Sequence, residues 1–250
     1  MHLREFLQGL HDVVQPRTYF EIGVRRGHSL RLSRAPAVAV DPAYEIRSEV
    51  RCDLHLVRAT SDEFFARPHP FAHFDQPYID LAFIDGMHLA EFALRDFMNT
   101  ERFCHAGSVV VFDDMLPRDE IETRRNRTDA GAWAGDVYKV VDTLRALRPD
   151  LLTLELDTTP TGTLMVLLPD PRSHTLNAAY DQLVQEYVTP DPQQVPDWAT
   201  TRSRAMSAER LLGSPVWAEV RRRRRLPDAA ARPVIRSAYE NAGLSTPGAS

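Results

Sequence analysis

Apolar positions along the chain alternate between two rhythms. Leu3, Phe6, Leu7, Leu10 and Val14 recur at helical spacing, which predicts an amphipathic helix over residues 2–14. Short, nearly unbroken apolar runs follow at Tyr19-Phe20-Glu21-Ile22, Val38-Ala39-Val40, Leu54 to Arg58, Tyr78 to Asp85 and Ser108 to Phe112. Runs of that kind suit strands covered by helices on both faces, as in a parallel sheet. Between them, Thr60-Ser61-Asp62 offers capping chemistry to a helix around Glu63-Phe64-Phe65. Phe92, Leu94, Phe97 and Met98 then mark a helix from Ala90 to Phe103, stopped by Ala106-Gly107. A polar loop, Leu116 to Trp133, leads to a helix from Gly135 to Leu147. The last strands, Leu151 to Leu156 and Thr163 to Leu168, flank a turn through Pro160 and Gly162 and predict an antiparallel hairpin on the sheet edge. The expected fold is α/β: a doubly wound sheet, mostly parallel, with an antiparallel last strand.

Beyond Pro169 the pattern loosens. Leu176 to Val188 reads as a helix, Thr189 to Trp198 is punctuated by proline, and Ala205 to Leu212 reads as a second helix. Asn241 to Ser250 has the composition of a frayed tail. The division expected is a ligand-binding domain over residues 1–170 and a mainly helical appendage with a flexible tail over 171–250.

Composition narrows the function. A chain of 250 residues, 43% hydrophobic and 26% charged, can bury one good-sized core. Its net charge of −5 provides no global field for nucleic acid. The basic run Arg221 to Arg225 has no interleaved aromatics and reads as a solvated helix face or a contact for an acidic partner. Cys52 and Cys104 lack metal-ligand spacing and read as reduced thiols. No run approaches the roughly 18 apolar residues of a membrane span, so a cytoplasmic protein is expected.

Candidate chemistry begins at Thr18 to Pro42, which reads as strand, glycine turn, helix start at Ser29-Leu30, second strand and acid. Where a ligand presses on the backbone between strand and helix, a Cβ at Gly23 or Gly27 would block it or strain the turn. Asp41, delivered by the second strand, suits a ribose diol, and the unit reads as a nucleoside cradle. The hydroxyls of Thr60 and Ser61 could cap the next helix, meet a purine edge, or both. At the ends of the fourth and fifth strands stand Asp85, Asp113 and Asp114. Neighbouring strands lie about 4.8 Å apart, so these carboxylates should share one mouth, where a hard divalent cation such as Mg²⁺ would relieve their repulsion. The other reading is that one aspartate caps a helix and another is merely solvated.

The spacing E-x-G-x-x-x-G, with Glu21, Gly23, Gly27 and then Asp41, resembles motif I of the class I S-adenosylmethionine-dependent methyltransferases. FIDGMH and VVVFDDM resemble the paired motifs of metal-assisted O-methyltransferases, nearer the macrolide-sugar and cephalosporin-tailoring type than the catechol type because the position three beyond Asp85 is His88. The resemblance covers about residues 18 to 170. It implies a Rossmann-like fold, S-adenosylmethionine held by Glu21, Gly23, Gly27, Asp41, Thr60, Ser61 and Asp85, a metal held by Asp85, Asp113 and Asp114, and His88 as the general base. Asp85 and His88 are thus the expected catalytic pair, with Trp133 and Tyr138 as walls and the loop Leu116 to Trp133 closing over the substrate. The implied partner is a small hydroxylated molecule, a sugar or natural-product diol, with no nucleic acid; a homo-oligomer is left open. Two alternatives stay open: a nucleotide-sugar or dinucleotide enzyme, supported by Arg25-Arg26 alone, and a non-catalytic cofactor-binding relative.

Overall fold

The structure, a computed structural model, describes residues 1–127, 132–224 and 226–244. Among the described residues, seven strands form one sheet: β1 (Tyr19–Ile22), β2 (Ala37–Val40), β3 (Leu54–Val57), β4 (Leu81–Ile84), β5 (Val109–Phe112), β6 (Leu152–Leu156) and β7 (Thr163–Leu167), in the order β3-β2-β1-β4-β5-β7-β6. β7 runs antiparallel to both β5 and β6, and the other pairs are parallel. The doubly wound fold expected from the apolar runs is therefore present, and the final hairpin lies at the edge with β7 inserted between β5 and β6.

The chain begins mid-sheet, winds outward to β3 and returns to β4, so strand order reverses between β1 and β4. A crevice opens beyond the carboxyl ends at such a point. Register decides what enters it: Ile22 pairs with Val40 and Ile84, and Ile84 with Phe112. The next residues, Gly23, Asp41, Asp85 and Asp113, emerge side by side.

Helices cover both faces: α1 (Leu3–Val14), α2 (Ser61–Phe65), α3 (Ala90–Glu101), α4 (Lys139–Leu147), α5 (Thr175–Tyr187), α6 (Asp197–Thr201), α7 (Ala208–Leu212), α8 (Val216–Arg223) and α9 (Asp228–Asn241). Alternate strand residues feed opposite faces. Phe20, Ile22, Val38 and Val40 belong to one apolar cluster, whereas Tyr19, Ala37 and Ala39 belong to the other. Residues 171–244 contribute to both, with Leu183, Tyr187 and Trp198 in the first and Trp217, Ile235 and Tyr239 in the second. Trp217 alone, 2% exposed, withdraws about 200 Å² from water, worth at most about 5 kcal/mol.

Three features differ from the sequence expectation. The helix start at Ser29-Leu30 is only a 3-10 turn, Leu30–Leu32, because φ is positive at Gly23, Arg25 and Gly27 and the chain is extended again by Ser33. α1 covers that face instead, burying Phe6, Leu7, Leu10 and Val14 beside Leu30. β4 begins at Leu81 rather than Tyr78, whose side chain is exposed, while the Asp80 carboxylate receives the Arg17 amide and a His105 ring nitrogen. The arginine run is partly buried. Arg221 donates to the Val13 carbonyl and Arg224 to those of Val14 and Gln15, satisfying the carbonyl end of α1. Arg222 and Arg223 pair with Glu219, and Arg225 lies outside the described residues, as does the tail from Ser245 onward. Among the described residues no helix is long and apolar enough to cross a membrane.

Candidate active site

Beyond the ends of β1, β2, β4 and β5 lies a cavity of about 980 Å³. Gly23, Asp41, Thr60, Ser61, Asp85, His88, Asp113 and Asp114 all line it, together with Arg25, Gly86, Met87, Phe92, Arg127, Trp133 and Thr161. Glu21 and Gly27, expected to help hold a cofactor, are not among the residues that line the cavity. Glu21 is fully buried, accepting hydrogen bonds from the Tyr19 hydroxyl at 2.7 Å and the Ser29 hydroxyl at 2.6 Å. Burial raises its pKa to about 8 despite those two donors. Gly27, with φ +74°, shapes the turn from behind, where a Cβ would press on Ile46.

The turn after β1 is determined by backbone contact. At Gly23 φ is +89°, and a Cβ there would lie 1.7 Å from the Asp85 carbonyl oxygen. This glycine therefore serves the neighbouring strand end before it serves any ligand. Asp41 braces the same turn, accepting from the Arg25 amide at 2.7 Å and the Ala43 amide at 2.6 Å. Each of its oxygens keeps a lone pair for a hydroxyl. At the end of β3, Thr60 forms a capping box with Glu63: its hydroxyl accepts from the Glu63 amide at 3.2 Å and donates to the Glu63 carboxylate at 2.9 Å.

The opposite wall gathers charge. The His88 Nε2 lies 3.2 Å from an Asp85 carboxylate oxygen, and its Nδ1 lies 3.0 Å from Asp114 Oδ2 and 2.7 Å from the Trp133 carbonyl oxygen. A carbonyl only accepts, so Nδ1 carries a hydrogen. Burial would lower the pKa of His88, but the hydrogen bonds to Asp114 and Asp85 outweigh it and raise the value to about 11. The ring is then an imidazolium between two carboxylates. Ligand atoms of Asp85, His88 and Asp114 all lie within 4.8 Å of one another, and Asp113 stands outside that cluster. Burial, then the charges of Asp114 and Asp85, push the Asp113 carboxyl well above the usual range.

Residues remote in the chain complete this wall. The Thr161 hydroxyl, from the turn between β6 and β7, donates to Asp114 Oδ1 at 2.5 Å. The Trp133 indole stacks on the His88 ring at 5.0 Å between centroids. Gly135, at φ +63°, lets the chain press on His88, because a Cβ there would meet the His88 carbonyl oxygen at 1.6 Å. Asp136 then caps α3 by accepting the Ala90 amide at 2.9 Å, and Arg125 bridges Asp136 and Glu91. The described parts of the loop Leu116 to Trp133 are thus anchored, and residues 128–131, part of the segment expected to close over substrate, lie outside the described residues. Tyr138 is not the expected wall: it is buried, with its hydroxyl donating to the Gln194 carbonyl at 3.2 Å. The sequence reading gave Thr161, Gly135 and Asp136 no part in the site, placing them in a turn and at a helix start; the Gly-Asp pair ahead of α4 was the signal available for two of them.

A family model described as "Methyltransferase domain" matches residues 20–115. No curated protein matches the sequence. Among solved structures, cofactor-bound Rv0187 from MTB aligns with a TM-score of 0.51 at 18% identity, covering 67% of this chain and 79% of that one. The O-methyltransferase TomG from Streptomyces achromogenes, in complex with SAM, gives 0.48 at 19% identity, covering 66% of this chain and 78% of that one. The O-methyltransferase from Bacillus cereus in complex with SAH gives 0.47 at 17%, covering 66% and 80%. At 18% identity the likeness to Rv0187 is one of fold. The matched segment runs from β1 to the acids after β5, and over residues 20–115 the chain resembles a methyltransferase domain.

Proposed function

We propose that this protein is a metal-assisted O-methyltransferase that transfers the sulfonium methyl of S-adenosylmethionine to a hydroxyl of a small molecule, a sugar or natural-product diol. The observation that carries the reading is the convergence of Asp85, His88 and Asp114 on one wall of the cavity that Gly23, Asp41 and Ser61 also line. In this reading Asp41 takes the ribose hydroxyls, Ser61 faces the purine, and the turn at Gly23 passes beneath the nucleoside.

The acids fit a hard cation. Asp85 and Asp114 offer oxygens, and Asp113 adds a third carboxyl on the same cavity wall. Bound there, a divalent cation such as Mg²⁺ would offset the carboxylates and raise the acidity of an acceptor hydroxyl. With such a cation held there, His88 would no longer face two uncompensated anions. The Trp133 carbonyl keeps hydrogen on Nδ1, so Nε2 is the nitrogen left to accept the hydroxyl proton. The acceptor oxygen attacks the methyl as the C–S bond breaks, and S-adenosylhomocysteine leaves. Transfer from a cationic sulfonium needs little covalent help, so positioning of the two reactants carries much of the rate. A second reading, in which His88 is itself a ligand, is favoured by its place in the three-residue cluster. A cytoplasmic location and a small-molecule acceptor without nucleic acid complete the proposal.

The test is mass spectrometry of a panel of vicinal diols incubated with S-adenosylmethionine, with and without EDTA. A gain of about 14 Da that EDTA abolishes and Mg²⁺ restores is expected, with affinity for S-adenosylhomocysteine little changed. Full turnover in chelator would show that the acids are structural.

A further inference from the structure

Because β7 runs antiparallel to β5, it begins where β5 ends: Leu164 pairs with Phe112, and the turn ahead of β7 lies against the chain that follows Phe112. That turn is tied down from several sides. The Leu116 amide donates to the Thr161 carbonyl at 2.6 Å and the Met115 amide to the Gly162 carbonyl at 3.2 Å. Arg202, from the segment beyond α6, donates to the Thr158 carbonyl at 3.1 Å and to the Pro160 carbonyl, and the Leu3 amide donates to the Thr159 carbonyl at 3.0 Å. The turn thus delivers the Thr161 hydroxyl, on a side chain only 4% exposed, to Asp114 Oδ1 at 2.5 Å from a fixed support. Asp114 itself has φ +62°, a left-handed conformation that a residue with a side chain keeps only where its surroundings impose it.

We propose that Thr161 is a positioning residue for the metal: by giving its one hydroxyl hydrogen to Asp114 Oδ1 it fixes the plane of that carboxylate, so that the strength of cation binding depends on a hydroxyl from the β6–β7 turn. The inference rests on the metal reading of the acids. The other oxygen, Oδ2, lies 3.0 Å from His88 Nδ1, so the carboxylate is held at both oxygens. An ionised carboxyl offers about four lone-pair sites, so each oxygen keeps one for a cation in the cavity. A ligand already held in its binding orientation loses little freedom when the ion arrives. Without the hydroxyl, Oδ1 has no protein donor among the described residues and the group can turn about its Cβ–Cγ bond. Threonine suits the task because branching at Cβ stiffens χ1 and holds the hydroxyl on target.

The experiment titrates Mn²⁺ into the full chain, reading the free ion by electron paramagnetic resonance, and measures S-adenosylhomocysteine affinity by calorimetry on the same samples. Thr161→Val, nearly isosteric, should weaken Mn²⁺ binding by about 10- to 100-fold, with affinity for the nucleoside little changed. Thr161→Ser should recover most of the loss because it restores the hydroxyl. If Thr161→Val fails to fold, Thr161→Ala, which adds no methyl beside the carboxylate, decides the matter by the same two affinities. Unchanged Mn²⁺ affinity in the variant without the hydroxyl would overturn the inference. So would parallel weakening of metal and nucleoside, or a Thr161→Ser variant as weak as Thr161→Val, either of which makes Thr161 a packing residue of the turn. A wild type that takes up no Mn²⁺ would remove the metal reading and the inference with it.

Discussion

Replacing Gly23 by alanine should damage fold and site together. The added Cβ would lie 1.7 Å from the Asp85 carbonyl oxygen, 2.4 Å from its carbon and 3.1 Å from the Gly86 nitrogen. None of these can swing aside as a side chain does. The Asp85 amide is bonded to the Ile22 carbonyl at 2.8 Å and the Gly23 amide to the Val40 carbonyl at 2.9 Å, so relief requires that strand ends part. The φ of +89° adds strain of about 1–3 kcal/mol for a residue with a side chain. Overpacking against backbone adds a further 1–3 kcal/mol or so. The sum, about 2–6 kcal/mol, is a large part of the 5–15 kcal/mol or so that holds a typical domain together. At roughly 2–4 °C per kcal/mol for a chain of this length, Tm should fall by about 10 °C in scanning calorimetry. Because the displaced carbonyl belongs to Asp85, affinity for S-adenosylhomocysteine and the response to Mg²⁺ should weaken in parallel. A variant with wild-type Tm that has lost only the nucleoside would refute this reasoning and return Gly23 to a role in ligand space alone.

His88→Ala should lower kcat by roughly 10²-fold while calorimetric Mg²⁺ affinity holds, as expected for a lost proton acceptor; a matching loss of metal affinity would make His88 a ligand instead. His11, 8% exposed and packed edge-on to Tyr19, has its pKa lowered to about 4 by burial. The unfolded chain then takes the proton first, so stability present above about pH 6.5 should fall by up to about 3 kcal/mol as pH drops toward 4. Urea titrations at both ends of that window should show a flatter dependence in His11→Gln, and an unchanged slope would remove His11 as its source.

What could be read from the chain, and what could not, divides along the range of the contacts involved. The strands were legible because burial on both faces leaves continuous apolar runs, and the meeting of Asp85, Asp113 and Asp114 at one mouth followed from the parallel pairing of neighbouring strands. α8 and α9 were not. α8 buries only Val216, Trp217 and Val220 before its arginines, and α9 only Ala231, Ile235 and Tyr239, a stripe one residue wide around an internal Pro233. Their stability comes from packing on a sheet already formed, which a local window does not contain.

His88 shows the same division within the site. Its place three residues beyond Asp85 announces the 3.2 Å contact with that carboxylate, and local spacing sufficed for it. The partners of the other nitrogen lie far along the chain, at Asp114 and at the Trp133 carbonyl, and the latter reaches the ring only because Gly135 permits the close approach. Of these contacts, the one to the carbonyl decides which nitrogen keeps its hydrogen and so which faces a reacting group. Identity of the residue is thus a property of the motif after β4, whereas its chemistry depends on a loop some 45 residues away in sequence. A change confined to residues 132–135 should alter what His88 does without touching the motif by which it is recognised.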